Sequence, residues 1–318
     1  MRENLQDWKI AVIGAGTMGR SIAQFFSMNG HETRLYTRSE KTMNTALDQI
    51  RNDYKTLVSM DMYEEDKVPG ALANLIPTHD LAEAVKDVDM VIEAVSEDPA
   101  IKKDMFSKLD ALVGPDVVLS TNTSTLNIYE IVEVSHPERV LITHFFVPAY
   151  IMPLMEMPRG PQTSPEVAEK VETLVRSHGK KVAKLNVPCP GFILNRMTFA
   201  LVREACYMVE QGWTTPEDID EAIVGTFGVR YTFEGPFMLG DFCGIDIFSH
   251  LEDILNPTFS NATESPQLLK DMIAKGRIGL KGDNGQGFYE HGDAAEARRI
   301  RDSKIMKSIK FVNQELNY

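Results

Sequence analysis

The chain has 318 residues, is 43% hydrophobic and carries a net charge of -13, so it can bury one large core or two ordinary ones. The acidic balance argues against nucleic acid as a partner, because a phosphate backbone wants a basic face, and no run approaches the ~18 apolar residues of a membrane span. Residues 1–7 are polar with no signal-peptide core, and Cys189, Cys206 and Cys243 show no metal-type spacing, so reduced thiols in the cytoplasm are expected.

Apolar runs alternate with amphipathic stretches through the first half, the pattern of a parallel sheet covered by helices. Residues 9–13 predict a buried strand, and 18–28 a helix with Ile22, Phe25 and Phe26 inward. Asn29-Gly30 turns the chain into a second strand over 31–37, with His31 as a turn residue. A long polar helical stretch is expected over 40–75, then strands over 89–94, 117–120 and 139–144. Asp98-Pro99 starts a helix over 99–112. Another over 165–178 ends at Gly179, before a strand over 181–185. Past Pro188-Cys189-Pro190-Gly191 the pattern is helical only, over 192–211, 216–226 and beyond. The expectation is an α/β domain at 1–187 followed by an all-α domain at 188–318. The basic run at 298–310 fits the solvated side of an amphipathic helix.

Gly14-Ala15-Gly16-Thr17-Met18-Gly19 lies between a predicted strand and a predicted helix. In that setting Gly14 makes the tight turn, Gly16 admits a pyrophosphate to the backbone, and Gly19 lets helix pack on strand. The phosphates would sit at the helix N-terminus beside Thr17 and Met18. NAD-binding chains place Asp or Glu at the end of the second strand for the ribose 2′-hydroxyl. Here Thr37 falls there, followed by Arg38, Ser39, Glu40 and Lys41. Arg38 and Ser39 suit a 2′-phosphate, so NADP(H) is favoured over NAD(H), with Glu40 the alternative acid if the register slips by a few residues.

His144 closes a predicted strand at the sheet edge where ligands gather in such folds, and Glu156 follows twelve residues later on the strand-like segment 154–157. Histidine is suited to take a proton near neutral pH, and a carboxylate fixes its tautomer. An isolated histidine among aromatic residues is more often simply packed; the neighbouring motifs shift the balance. Ser124 and Asn195 are short neutral groups suited to holding a reacting oxygen.

At these residues the chain resembles the L-3-hydroxyacyl-CoA dehydrogenase family. The resemblance runs through the glycine fingerprint, Asp89-Met90-Val91-Ile92-Glu93-Ala94-Val95, Asn122-Thr123-Ser124, His144-Phe145-Phe146 and Pro190-Gly191-Phe192-Ile193-Leu194-Asn195-Arg196. It continues through Glu217-Asp218-Ile219-Asp220, Gly235-Pro236-Phe237 and the tail from Gly279 to Tyr289. It implies a Rossmann-like domain and a helical domain that dimerises. It also implies a His144–Glu156 catalytic pair with Ser124 and Asn195 on the substrate side, and Glu97, Lys102 and Asn122 on the cofactor side.

Three departures bear on substrate and cofactor. Val147 stands where the family usually has Asn, Thr37-Arg38-Ser39 departs from the usual NAD pattern, and the arm after the second strand is acidic. That arm carries Asp48, Asp53, Asp61, Glu64, Glu65 and Asp66 against Arg51, Lys55 and Lys67, a poor host for the phosphates of CoA unless substrate never meets it. Residues 149–154 and 228–233 look like members acting on small acids, such as gulonate and carnitine dehydrogenases. Arg230 could pair with a substrate carboxylate or serve as an ordinary surface arginine.

The expected function is hydride transfer between a nicotinamide and a 3-hydroxy acid derivative, with a small carboxylate favoured over an acyl-CoA thioester. A decarboxylating 3-hydroxy acid dehydrogenase would need a lysine that the helix start at 190–196 lacks. A non-catalytic cofactor-binding protein on this scaffold is the remaining alternative.

Overall fold

Short strands, buried at the centre of the sheet, build the main sheet of the computed structural model, which describes residues 1–282 and 285–316. Its strands are β1 (Ile10–Ile13), β2 (Thr33–Tyr36), β3 (Leu75–Thr78), β4 (Met90–Glu93), β5 (Val118–Thr121) and β6 (Val140–Ile142). All pair in parallel, in the order β3-β2-β1-β4-β5-β6. Every residue of β1, β4 and β5 is buried, as expected where helices cover both faces. The covering helices are α1 (Thr17–Met28), α2 (Glu40–Ser59), α3 (Val68–Ala73), α4 (Leu81–Ala84), α5 (Pro99–Leu112), α6 (Ile128–Ile131) and α7 (Pro165–Ser177). Side chains set their starts: the Ser39 hydroxyl caps α2 through Thr42 N–H, and the Asp98 carboxylate caps α5 through Ala100 and Ile101, with Pro99 in its first turn. The strand order reverses between β1 and β4, so a crevice opens at their carboxyl ends.

A second sheet carries β7 (His144–Phe145), β8 (Leu154–Pro158) and β9 (Lys181–Leu185), with β7 antiparallel to β8 and β8 parallel to β9. The single strand expected over 139–144 is therefore two. The chain leaves the main sheet after Ile142 and joins the second at His144, with Thr143 still donating its N–H to Thr121 O at 2.9 Å.

The continuous helix expected over 40–75 is also corrected. α2 stops at Ser59, α3 is short, and Leu75–Thr78 forms the edge strand β3. Of these four residues only Leu75 is buried, and an edge position tolerates Pro77, so the segment lacks the apolar run that marks interior strands.

His31 is buried rather than a turn residue. Its Nδ1 lies 2.8 Å from Trp8 O and its Nε2 2.7 Å from His178 Nε2. Burial and the neighbouring His31 push His178 down to about 4, and burial lowers His31. The unfolded chain therefore takes up a proton at His178 near pH 6.5, before the folded chain does, and stability from this group is lost as pH falls from about 6.5 to 4. After discounting for the half-exposed ring, the loss is about 1–2 kcal/mol. A His178→Gln variant should show a correspondingly smaller drop in urea midpoint between pH 7 and pH 4.5 than the parent protein.

The chain divides into two compact units, Met1–Arg196 and Met197–Tyr318. The second holds all but the first turn of α8 (Leu194–Glu210), together with α9 (Pro216–Arg230), α10 (Pro236–Cys243), α11 (Ile245–Leu255), α12 (Gln267–Ala274) and α13 (Ala294–Glu315). Phe237 is 91% exposed and Phe242 76%, with Phe199, Val224 and Ile245 also open to solvent. Among the described residues, no helix is long and apolar enough to cross a membrane.

Candidate active site

The antiparallel register of β7 and β8 sets His144 directly opposite Glu156. Both are buried, and His144 Nδ1 lies 2.8 Å from Glu156 Oε2. The other carboxylate oxygen accepts from the backbone N–H groups of Ile193 at 3.0 Å and Leu194 at 2.8 Å, where α8 begins. Glu156 is thus spoken for at both oxygens, and its orientation fixes that of the imidazole. The rings of Phe146 and Phe192 flank His144, with centroids 4.7 and 5.5 Å away. With Nδ1 committed, Nε2 is the nitrogen left for a reacting proton.

Phe192 supports this arrangement through its backbone. Its φ of 52° is unusual for a residue with a large side chain. The tight turn, closed by Phe192 N–H donating to Cys189 O at 3.0 Å, aims the next two N–H groups at Glu156. The sequence marked the Pro/Gly knot as a boundary and missed this role; Gly191, itself at φ 77°, was the available signal.

Ser124 and Asn195 come together. The Asn195 amide nitrogen donates to Ser124 O at 3.1 Å, using one of its two N–H donors. Ser124 sits on a turn organised by Glu97, whose Oε1 accepts from the Thr123 hydroxyl at 2.6 Å and from the N–H groups of Ser124 at 2.8 Å and Thr125 at 3.1 Å. Burial pushes the Glu97 carboxyl up, but Thr123, Lys102 and these N–H groups outweigh it and hold it below the usual carboxylate value. Asn122 is also turned inward: its side-chain oxygen accepts from Phe145 N–H at 2.8 Å, tying β7 to the end of β5.

Lys102 lies inside the protein. It is 1% exposed, its ammonium lies 2.9 and 3.0 Å from the oxygens of Glu93, and it is 3.3 Å from Glu97. Glu93 itself went unassigned in the sequence, hidden inside an apolar strand. Arg230 belongs to the second unit, where it pairs with Glu234 at 3.2 Å.

The crevice above β1 and β4 has a volume of about 600 Å³, with Gly14, Gly16, Thr37, Arg38 and Ser96 in its lining. Gly14 adopts φ 115°, where an added Cβ would lie 2.5 Å from Ala94 O, and a Cβ on Gly19 would overlap the Gly14 carbonyl. A Cβ on Gly16 would meet nothing, so that glycine faces open space, as close approach of a pyrophosphate requires. No side chain caps the N-terminus of α1, which leaves the N–H groups around Thr17 and Met18 to serve an anion. The Ser39 hydroxyl oxygen caps α2, which leaves its O–H free to donate.

Comparison with known proteins agrees with this architecture. Residues 9–187 match the family model of the 3-hydroxyacyl-CoA dehydrogenase NAD binding domain, and residues 191–291 that of the C-terminal domain. The chain is 30% identical over 304 residues to 5-formyl-3-hydroxy-2-methylpyridine 4-carboxylate 5-dehydrogenase of Mesorhizobium japonicum, covering 94% of this chain and 97% of that one. It is 33% identical over 285 residues to a probable 3-hydroxybutyryl-CoA dehydrogenase of Bacillus subtilis, covering 89% and 97%. Among solved structures, a 5-formyl-3-hydroxy-2-methylpyridine 4-carboxylic acid 5-dehydrogenase, described as an NAD+-dependent dismutase, superposes with a TM-score of 0.87 at 27% identity. That match covers 97% of this chain and 99% of the other.

Proposed function

The chain belongs to the 3-hydroxyacyl-CoA dehydrogenase family, and on that premise we propose that it interconverts a small 3-hydroxy carboxylate and its 3-oxo form, with His144 as the acid–base group. The observation that carries this reading is the buried His144–Glu156 pair at 2.8 Å, with Glu156 fixed by two backbone N–H groups. In the oxidative direction His144 Nε2 takes the hydroxyl proton, and Glu156 stabilises the imidazolium that forms. Ser124 and the second N–H of the Asn195 amide steady the substrate oxygen. A bound nicotinamide supplies or accepts the hydride.

The lean toward a small acid rests on the arm formed by α2 and the turn after it. Arg51 is paired with Asp48 at 2.9 Å and Lys67 with Glu64 at 2.7 Å, so much of the arm's positive charge is already cancelled where CoA phosphates would need it. The Mesorhizobium japonicum relative, named for a pyridine carboxylate, supports the same lean. A true 3-hydroxyacyl-CoA substrate is the second reading, favoured by the Bacillus subtilis relative. Arg230, half-exposed on α9, is the proposed partner of a substrate carboxylate.

For the cofactor, Thr37 follows β2 directly and Arg38 lines the crevice beside it, which favours NADP(H). The NAD-binding family model and the NAD+-dependent structural relative favour NAD(H). The exposed phenylalanines of the second unit are the proposed contact surface of a homodimer. The free cysteines suit a reducing, cytoplasmic setting.

Fluorescence titration with NADPH and NADH, followed by acetoacetate or acetoacetyl-CoA, tests these points together. NADPH is expected to bind about tenfold or more tightly, by the worth of one charge-assisted contact to Arg38, and acetoacetate to be reduced in preference to the thioester. Tighter NADH binding would reverse the cofactor assignment, and faster reduction of acetoacetyl-CoA would establish the CoA reading. Binding without turnover of either probe would remove the 3-oxo acid assignment.

A further inference from the structure

Beside the crevice, the buried pair Glu93 and Lys102 and the part-exposed Glu97 form a network whose charges do not cancel. Glu93 is fully buried at the end of β4 and receives donors only: the Lys102 ammonium at both oxygens, the Thr121 hydroxyl at 2.6 Å and Val95 N–H at 2.6 Å. The ammonium and the main-chain N–H can only donate, and a carboxylate is the form of Glu93 complementary to them. Glu97 shares the same ammonium from the other side at 3.3 Å. Two carboxylates against one ammonium leave one negative charge.

The neighbouring lysines of α5 do not offset it. On α5, Lys103 pairs with Glu133 and Lys108 with Asp104, and Asp98 is committed to the helix N-terminus. Across the site, the His144–Glu156 pair becomes neutral overall when His144 holds a second proton.

The surplus lies where a nicotinamide must bind for the proposed reaction. The hydride-bearing carbon has to come within about 3–3.5 Å of the substrate carbon whose oxygen is held at His144 and Ser124. Glu97 touches the Ser124 N–H at 2.8 Å, and Ala94, Val95 and Ser96, which follow Glu93, line the crevice. The oxidised nicotinamide ring carries a positive charge and the reduced ring none, so a fixed negative charge nearby distinguishes the two.

We propose that the Glu93–Lys102–Glu97 network selects the redox state of the cofactor, with Glu93 as the determinant: its surplus charge strengthens binding of the oxidised, cationic form relative to the reduced form. This rests on the nicotinamide reading of the crevice. It applies to NAD and NADP alike, because a 2′-phosphate is common to both redox states and drops out of the ratio.

The test is the ratio of dissociation constants for oxidised and reduced cofactor, measured by calorimetry on the intact protein. Glu93→Gln keeps the shape and removes the surplus, and should shift the ratio about 5- to 30-fold against the oxidised form, the scale of one uncompensated charge at an effective dielectric of ~20–40. The double variant Glu93→Gln/Lys102→Met again leaves one negative charge, on Glu97, and should return the ratio to within about twofold of the parent. A purely structural role would weaken both redox forms alike and would not be reversed by the second substitution; either result overturns the proposal. Should Glu93→Gln fail to fold, Glu97→Gln removes the same charge from the half-exposed side and must shift the ratio in the same direction. Failure of the parent protein to bind either form would defeat the nicotinamide reading itself, and the proposal with it, whereas tight binding with an unmoved ratio defeats the proposal alone.

Discussion

Replacing His144 with glutamine is expected to lower kcat by about 10²–10⁴-fold while leaving nicotinamide dinucleotide affinity within about twofold of the parent. The imidazole Nδ1 is committed to Glu156, so its other nitrogen is the proposed proton acceptor, and glutamine offers no group that titrates near neutrality. Glu156→Gln should cost about 10-fold or more, since it keeps the volume but loses the charge that stabilises the imidazolium. Because the two act as one unit, the double variant should be hardly slower than His144→Gln alone. Steady-state turnover with separate cofactor titrations checks this set. Multiplicative losses would mean that Glu156 acts independently of His144, and unchanged turnover in His144→Gln would remove that residue from the chemistry.

The second large effect is expected at the glycine loop, where two alanine substitutions should fail in opposite ways. A Cβ on Gly19 would overlap the Gly14 carbonyl, so α1 could stay close to β1 only by distorting both. Gly19→Ala should destabilise the first unit by about 1–3 kcal/mol or more and abolish dinucleotide binding. Gly16→Ala meets no protein atom and should melt within a few degrees of the parent. It should nevertheless bind cofactor about tenfold more weakly or worse, because the methyl takes the space the pyrophosphate needs. Thermal unfolding and fluorescence titration separate the two. Undiminished cofactor binding by Gly16→Ala would mean that the phosphates lie elsewhere.

The parts of the molecule legible in the sequence are those whose physics is local. Interior strands announce themselves as apolar runs, as in Ile10–Ile13 and in Met90, Val91 and Ile92, and the glycine fingerprint marks the turn between β1 and α1. The pairing of His144 with Glu156 was accessible because an antiparallel return is a short-range event. The edge strand β3 was not, since one buried residue in four gives no periodic signal. The change of sheet at Thr143 left no mark either, because the residues on both sides of it are equally buried. Buried polar partnerships were the least visible: nothing within a few residues of His31 announces His178, and Glu93 meets Lys102 only once a strand and a helix have packed.

The anchoring of Glu156 by the main chain of Ile193 and Leu194 has a consequence for engineering. Their N–H groups carry the load, while their side chains are more than a third exposed. Any amino acid but proline preserves those two donors, so positions 193 and 194 form a small randomisable window set directly against the His144–Glu156 pair. A library built there would explore new chemistry at the rim of the site without rewriting the residues that hold it together.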